Sequence, residues 1–320
     1  MFELINGIRS ILEASMAVKP GEHVLVISDN ESESMWVGQI IMNVANLMGT
    51  EAIMTVIKPT EHAAQEPPPS VALAMKSVDV IFRVTDRGNL AHTTARKEAI
   101  AAGARFYSVC QIPLDDLKKG VSAVDLRLIK ERTEALAQRL AQANVATLTS
   151  PLGTNITLSL AGREALALNP LGHVPTFLYY AEAAIAPVEG TAEGTIVADL
   201  EVVNWGYLLR EPLHYTVKAG KVVDIAGSPQ DVDWLHKVAA TDENATNIAE
   251  LGIGTSHIIP LPMQGTRRDA ARIGTAHIAI GRNDDIGGKT FSQIHIDSLM
   301  SRPTIELDGQ CILKDGELMI

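Results

Sequence analysis

Four segments of this chain carry side chains able to hold a divalent cation. His295-Ile296-Asp297 reads as strand. Residues two apart in a strand share a face, so an imidazole and a carboxylate stand side by side while Ile296 points into the opposite layer. Such a pair can supply two ligands to one ion, although the same spacing suits a solvated strand face or a structural pair. His277 lies in the apolar run TAHIAIG. An imidazole there is costly unless its nitrogens are bound, by a metal or by hydrogen bonds in the core. Glu250 ends the helix-like TNIAE beside the apolar LGIG. A Glu at a helix C-terminus opposes the macrodipole, which is a reason to look for a cation nearby. Glu182, in TFLYYAEAAIAP, is the lone charge of an apolar stretch and is therefore either exposed or partnered.

Together these are three carboxylates and two imidazoles, the ligand count and hardness of a two-ion site for Zn, Mn, Co or Fe. The chemistry expected of such a site is hydrolysis. One ion polarises a carbonyl, the pair acidifies a bridging water, and a carboxylate, Glu182 or Glu250, handles the proton. Arg267, Arg268 and Lys289 either grip a substrate carboxylate or are simply solvated loop cations.

The elements that must position these groups change character along the chain. Strand-like runs at 23–28, 52–56, 78–84 and 105–109 alternate with helical stretches at 36–47, 71–76 and 91–102. That alternation predicts a parallel sheet covered on both faces. After a charged helix at 126–143, ATLTSPLGTNITLSL reads as a hairpin, and Gly and Pro punctuate short strands from there onward. The expected organisation is an N-terminal parallel-sheet α/β domain, residues 1–145, followed by a mainly β (α+β) metal-site domain, residues 146–320. The second domain is expected to carry helices at 231–240 and 244–250. The turn after the first strand, ISDNESES, lacks the glycines of a dinucleotide fingerprint, and GRNDDIGG lacks the Lys-Ser/Thr of a phosphate loop, so it reads as a turn between strands.

Composition narrows the class. With 38 acidic against 27 basic residues the net charge is -11, spread along the chain, so the basic stripe of a nucleic-acid binder is missing. Cys110 and Cys311 stand 201 positions apart and outside any CxxC, which points away from a disulfide framework or a thiolate zinc site. No signal peptide or apolar run of about 18 residues is evident. A cytoplasmic protein that binds neither membrane nor nucleic acid, acting on a small molecule or short peptide, is expected.

At these residues the chain resembles a known family. The order Glu182-AAIAPVEGTAEG, Glu250-LGIG, His277-IAIG, His295-Ile-Asp297 is similar to metallo-aminopeptidases of the aminopeptidase T and aminopeptidase S type, over roughly residues 170–310. The resemblance implies metal ligation by Glu182, Glu250, His277, His295 and Asp297, two divalent ions, removal of N-terminal residues from peptides, and a homodimer. The family's tyrosine seven residues after the strand histidine is replaced by Asp284, and only 17 residues separate His277 from His295. That short spacing, with GGK at 287–289 before HID, also resembles 2,5-dihydroxypyridine 5,6-dioxygenase, whose iron(II) is held by two histidines and an aspartate. His295 and Asp297 match two of these, and Glu250 stands where the remaining histidine would be. The leading expectation is an aminopeptidase-like hydrolase. The alternatives are a ring-cleaving Fe(II) dioxygenase and a non-catalytic α/β binding protein.

Overall fold

The computed structural model describes residues 1–60, 65–85, 90, 92–109, 112–171, 179–202, 208–259, 263 and 265–320. The chain divides into two compact units, residues 1–130 with 169–180, and residues 131–168 with 181–320. The helix at 123–142 runs through this division.

In the first unit the short apolar runs form a parallel sheet from β1 (His23–Asp29), β2 (Glu51–Ile57), β3 (Val80–Val84) and β4 (Arg105–Ser108), in the order β2-β1-β3-β4. Central β3 is buried along its whole length, as a strand covered on both faces must be. Helices α1 (Phe2–Ala14), α2 (Ser32–Leu47), α3 (Pro69–Met75), α4 (Thr94–Ala101) and α5 (Leu114–Lys119) belong to this unit. Helix α1 is amphipathic and buries Leu4, Ile8, Ile11 and Leu12, while Phe2 stays exposed. α5 was not evident from apolar periodicity. Its acidic first turn and basic last turn suit the helix dipole. It lies so close to α1 that a Cβ on Gly7 would sit 1.9 Å from the Leu117 carbonyl oxygen, so the crossing needs glycine.

Helix α6 (Ala123–Gln142) contributes Leu136, Ala137 and Leu140 to the core of the second unit, which is why the compact division falls inside it and not near residue 145. The second unit holds two antiparallel sheets. Strands β5 (Val145–Thr149), β6 (Asn155–Ser159), β9 (Glu193–Ala198), β10 (Leu213–Lys218), β11 (Lys221–Ala226), β15 (Thr304–Leu307), β16 (Gln310–Lys314) and β17 (Glu317–Leu318) form the larger, ordered β11-β10-β9-β6-β5-β15-β16-β17. The expected hairpin is the pair β5–β6. Strands β7 (Ala165–Leu168), β8 (Glu182–Ile185), β12 (Ile248–Gly254), β13 (Ala276–Gly281) and β14 (His295–Met300) form the smaller, ordered β14-β13-β12-β8-β7. Ile156, Leu158 and Ile196 of the larger sheet share one core with Ile185, Leu251, Ile253, Ile278, Ile280 and Ile296 of the smaller.

One helix forms where expected, α7 (Pro229–Ala239), capped by Ser228 accepting from the Asp231 N–H. The helix expected at 244–250 does not. Its last residues enter β12, which pairs with both β13 and β8, and this two-sided pairing with burial of Ile248, Leu251 and Ile253 outweighs the helical propensity of Ala-Glu-Leu. Glu250 therefore lies within a strand, and the macrodipole argument for a cation beside it falls away. Among the described residues no helix is long and apolar enough to cross a membrane.

Candidate metal centre

The smaller sheet turns one face to the core and the other to the donors. On β14, Ile296 enters the core while His295 and Asp297 take the opposite face, as alternation requires. On β13, Ile278 and Ile280 go inward and His277 outward; on β8, Ala183 and Ile185 go inward and Glu182 outward. Strand β12 needs more than alternation. A bulge between Ile248 and Glu250 lets Ile248 and Leu251 both face the core while Glu250 points to the donor side. Re-aiming one side chain in this way is a common use of a bulge.

The strand register explains how donors far apart in sequence meet. Glu250, Ala279 and Asp297 form one row across β12, β13 and β14, and Gly281 pairs with His295 beside it. Gly252 lies opposite His277, and Gly254 opposite Glu182. Every position between donors is alanine or glycine. At Gly252 this is a requirement, because a Cβ would stand 2.2 Å from Nε2 of His277. The small residues leave the volume above the sheet to the donor side chains.

All five expected donors are brought together, in two triads that share Glu250. Ligand atoms of Glu182, Glu250 and His277 lie within 4.8 Å of one another, and so do those of Glu250, His295 and Asp297. His295 Nε2 is 2.9 Å from Glu250 Oε2 and 3.1 Å from Asp297 Oδ1, and His277 Nε2 is 3.6 Å from Glu182 Oε2. Glu182, Glu250, His277 and His295 are buried, and the Asp297 side chain is 15% exposed. Burial disfavours a charged His295, but hydrogen bonds to Asp297 and Glu250 and their negative charge outweigh it. The imidazole pKa is held well above its ordinary value. Its Nδ1 lies 2.7 Å from the carbonyl oxygen of Arg282. A carbonyl only accepts, so Nδ1 carries a proton, and Nε2, which faces the two carboxylates, is the nitrogen whose proton a metal would displace.

This donor set fits a divalent cation, with oxygen and imidazole ligands and, behind His295, a backbone carbonyl of the kind that orients metal-bound histidines. Cys311 is a free thiol, and Cys110 lies outside the described residues. Arg268 is buried in the short 3-10 turn 267–271 and is not a solvated loop cation, whereas Lys289 is exposed. Asp284, at the position of the aminopeptidase tyrosine, ion-pairs with Arg282. Sequence reading missed the Arg282 carbonyl, the Gly252 hollow and the β12 bulge. The pattern Gly-x-Gly beside a strand carrying His-x-Ala was the available signal for the hollow.

A family model described as NicX, 2,5-dihydroxypyridine 5,6-dioxygenase, matches residues 3–320. No curated protein matches the sequence. Among solved structures, the 2,5-dihydroxypyridine dioxygenase from Pseudomonas putida KT2440 is similar, with a TM-score of 0.81 at 18% identity over 99% of this chain and 96% of that one. AmpT from Thermus thermophilus gives a TM-score of 0.74 at 16% identity over 100% of this chain and 99% of that one. At these identities both likenesses are likenesses of fold. The expected aminopeptidase-like hydrolase is thereby corrected, since the match along nearly the whole chain is to a dioxygenase family and the aminopeptidase likeness is structural only. Carboxylates and imidazoles hold the ions of hydrolases and oxygenases alike, so the donors alone could not separate the two chemistries.

Proposed function

The chain belongs to the NicX family of 2,5-dihydroxypyridine 5,6-dioxygenases, and from that premise we propose that it is a non-haem Fe(II) dioxygenase opening the ring of a hydroxylated pyridine or a related hydroxylated ring. The observation that carries this reading is the Glu250–His295–Asp297 triad, with His295 Nε2 facing both carboxylates and Nδ1 tied to a carbonyl. Those three residues would hold the iron. Iron(II), when bound, would relay electrons from the hydroxylated ring to dioxygen and so overcome the spin barrier to their reaction, the ring itself supplying the electrons. Both oxygen atoms enter the product, so no external reductant is consumed. Glu250 and Asp297 balance the cation's charge, and burial of the donors keeps bulk water from the reacting groups. Glu182, buried with Oε2 3.6 Å from His277 Nε2, would take the proton of a substrate hydroxyl.

The test is anaerobic loading of metal-free protein with Fe(II), followed by oxygen-electrode measurement with 2,5-dihydroxypyridine. A single iron per chain and oxygen uptake equal, mole for mole, to loss of the ring's absorbance are expected. Iron-loaded protein that consumes no oxygen with this or related hydroxypyridines would defeat the proposal.

A further inference from the structure

We propose that Arg282 and Asp284, seated against Phe291, are positioning residues that hold His295 in its metal-binding orientation; the inference rests on the metal reading of the cluster. His295 is oriented through one backbone atom, the Arg282 carbonyl oxygen, 2.7 Å from Nδ1. What holds that carbonyl is a frame built from the segment 282–290. The Arg282 N–H donates to the Ile294 carbonyl at 2.8 Å, tying the residue to the chain entering β14. Its guanidinium is almost wholly buried and grips Asp284 with Nε at 2.5 Å and Nη2 at 3.3 Å, and it lies 4.8 Å from the centroid of the Phe291 ring. A buried guanidinium held on two sides fixes its own backbone.

The rest of the turn is closed as firmly. Asn283 exchanges two hydrogen bonds with Thr290, donating from its backbone N at 2.9 Å and accepting at Oδ1 at 2.8 Å, and its Nδ2 donates to Glu189 Oε1 at 3.2 Å. Glu189 also accepts from the Lys289 N–H at 2.8 Å and pairs with Arg163, which donates to the Gly287 carbonyl at 2.9 Å. A Cβ on Gly288 would stand 2.1 Å from Cγ of Asn283, so glycine is what admits that side chain. The segment GRNDDIGGKT, a plain turn by sequence, thus supports a ligand it does not contain.

The experiment uses Co(II) as a spectroscopic probe of the full chain, comparing wild type with Asp284→Asn and Phe291→Leu. Asp284→Asn keeps the side-chain shape and removes the charge; Phe291, which is exposed, can be changed with little risk to folding. Expected for Asp284→Asn, which acts on His295 through Arg282, are a loss of Co(II) affinity of about 10-fold and a changed visible ligand-field spectrum. Because Asp284→Asn leaves the buried Arg282 guanidinium without its carboxylate, some fall in metal-free melting temperature is expected, smaller than the loss of Co(II) affinity accounts for, while that of Phe291→Leu should stay near wild type. Phe291→Leu should shift the same readouts in the same direction by less, and decides the matter if Asp284→Asn does not fold. Unchanged spectrum and affinity in a folded variant, or affinity lost only in step with a lowered metal-free melting temperature, overturns the assignment. A wild type that takes up no Co(II) defeats the metal reading and this inference with it; wild type that binds Co(II) normally but shows no oxygenase activity with Fe(II) counts against the proposed function alone.

Discussion

Gly252 faces His277 across two strands and leaves the space its imidazole occupies. Gly252→Ala should push the ring away from Glu182 at a stability cost of about 1–3 kcal/mol for overpacking. Urea unfolding and Co(II) titration of the same sample should show that stability loss with metal affinity little changed, since Glu250, His295 and Asp297 hold the ion; a marked fall in affinity would place His277 among the ligands. Glu250 offers a contrasting test. It is a buried carboxylate shared by both triads and paired with His295, so Glu250→Gln should abolish tight metal binding and also lower the stability of the metal-free protein, because His295 loses one of the two carboxylates that hold its charge while Asp297 remains. Calorimetry of metal-free and metal-loaded samples separates these effects, and metal-loaded stabilisation equal to that of wild type would contradict the assignment of Glu250 as a ligand. The residue types and the HxD spacing were readable from the chain. The neighbouring hollow was not, because it depends on which glycine a register places opposite which histidine.

Strand β12 carries both the core and the centre. Leu251 is fully buried between sheets, so Leu251→Ala should cost about 2–5 kcal/mol in urea unfolding. A value near zero would show that the core between the sheets is not packed as described. Strand β14 is anchored from outside by Asp242, which accepts from Ser292 Oγ at 2.9 Å, from the Gln293 N–H at 2.8 Å and from the Asn244 N–H at 2.9 Å. Partial burial raises the Asp242 pKa, but these donors together lower it below the ordinary carboxylate value. With the folded pKa depressed, the contribution is complete above the unfolded value and disappears as pH falls through the folded one. Asp242→Asn should therefore flatten the stability loss of wild type between about pH 5 and pH 2. Parallel stability curves for the two proteins across that window would remove the anchor from consideration. Sequence periodicity read the four parallel strands of the first unit within two residues. It misread 244–250 because a helix-like composition can be overruled by pairing on both sides, which no local window contains.

At the scale of the molecule the charge of -11 is a diffuse acidic surface suited to solubility, and Glu182, Glu250 and Asp297 are the acids removed from it into a buried centre. The resemblance to dimeric aminopeptidases carries a proposal about assembly. Sedimentation equilibrium at micromolar concentration should give twice the 34.3 kDa chain mass, and a monomer throughout would end that proposal. The two compact units meet the expectation of an α/β part and a mainly β part, while α6 lends its second half to the latter core.

The amino-acid sequence by itself determined the donors and the alternation that puts Ile296 opposite His295 and Asp297, because residue type and strand period are local properties. Only the tertiary structure decided that segments more than a hundred residues apart stack Glu182, Glu250, His277, His295 and Asp297 over alanine and glycine. Register between distant strands is set by the shared core and by one bulge, and neither can be read from any single stretch of chain.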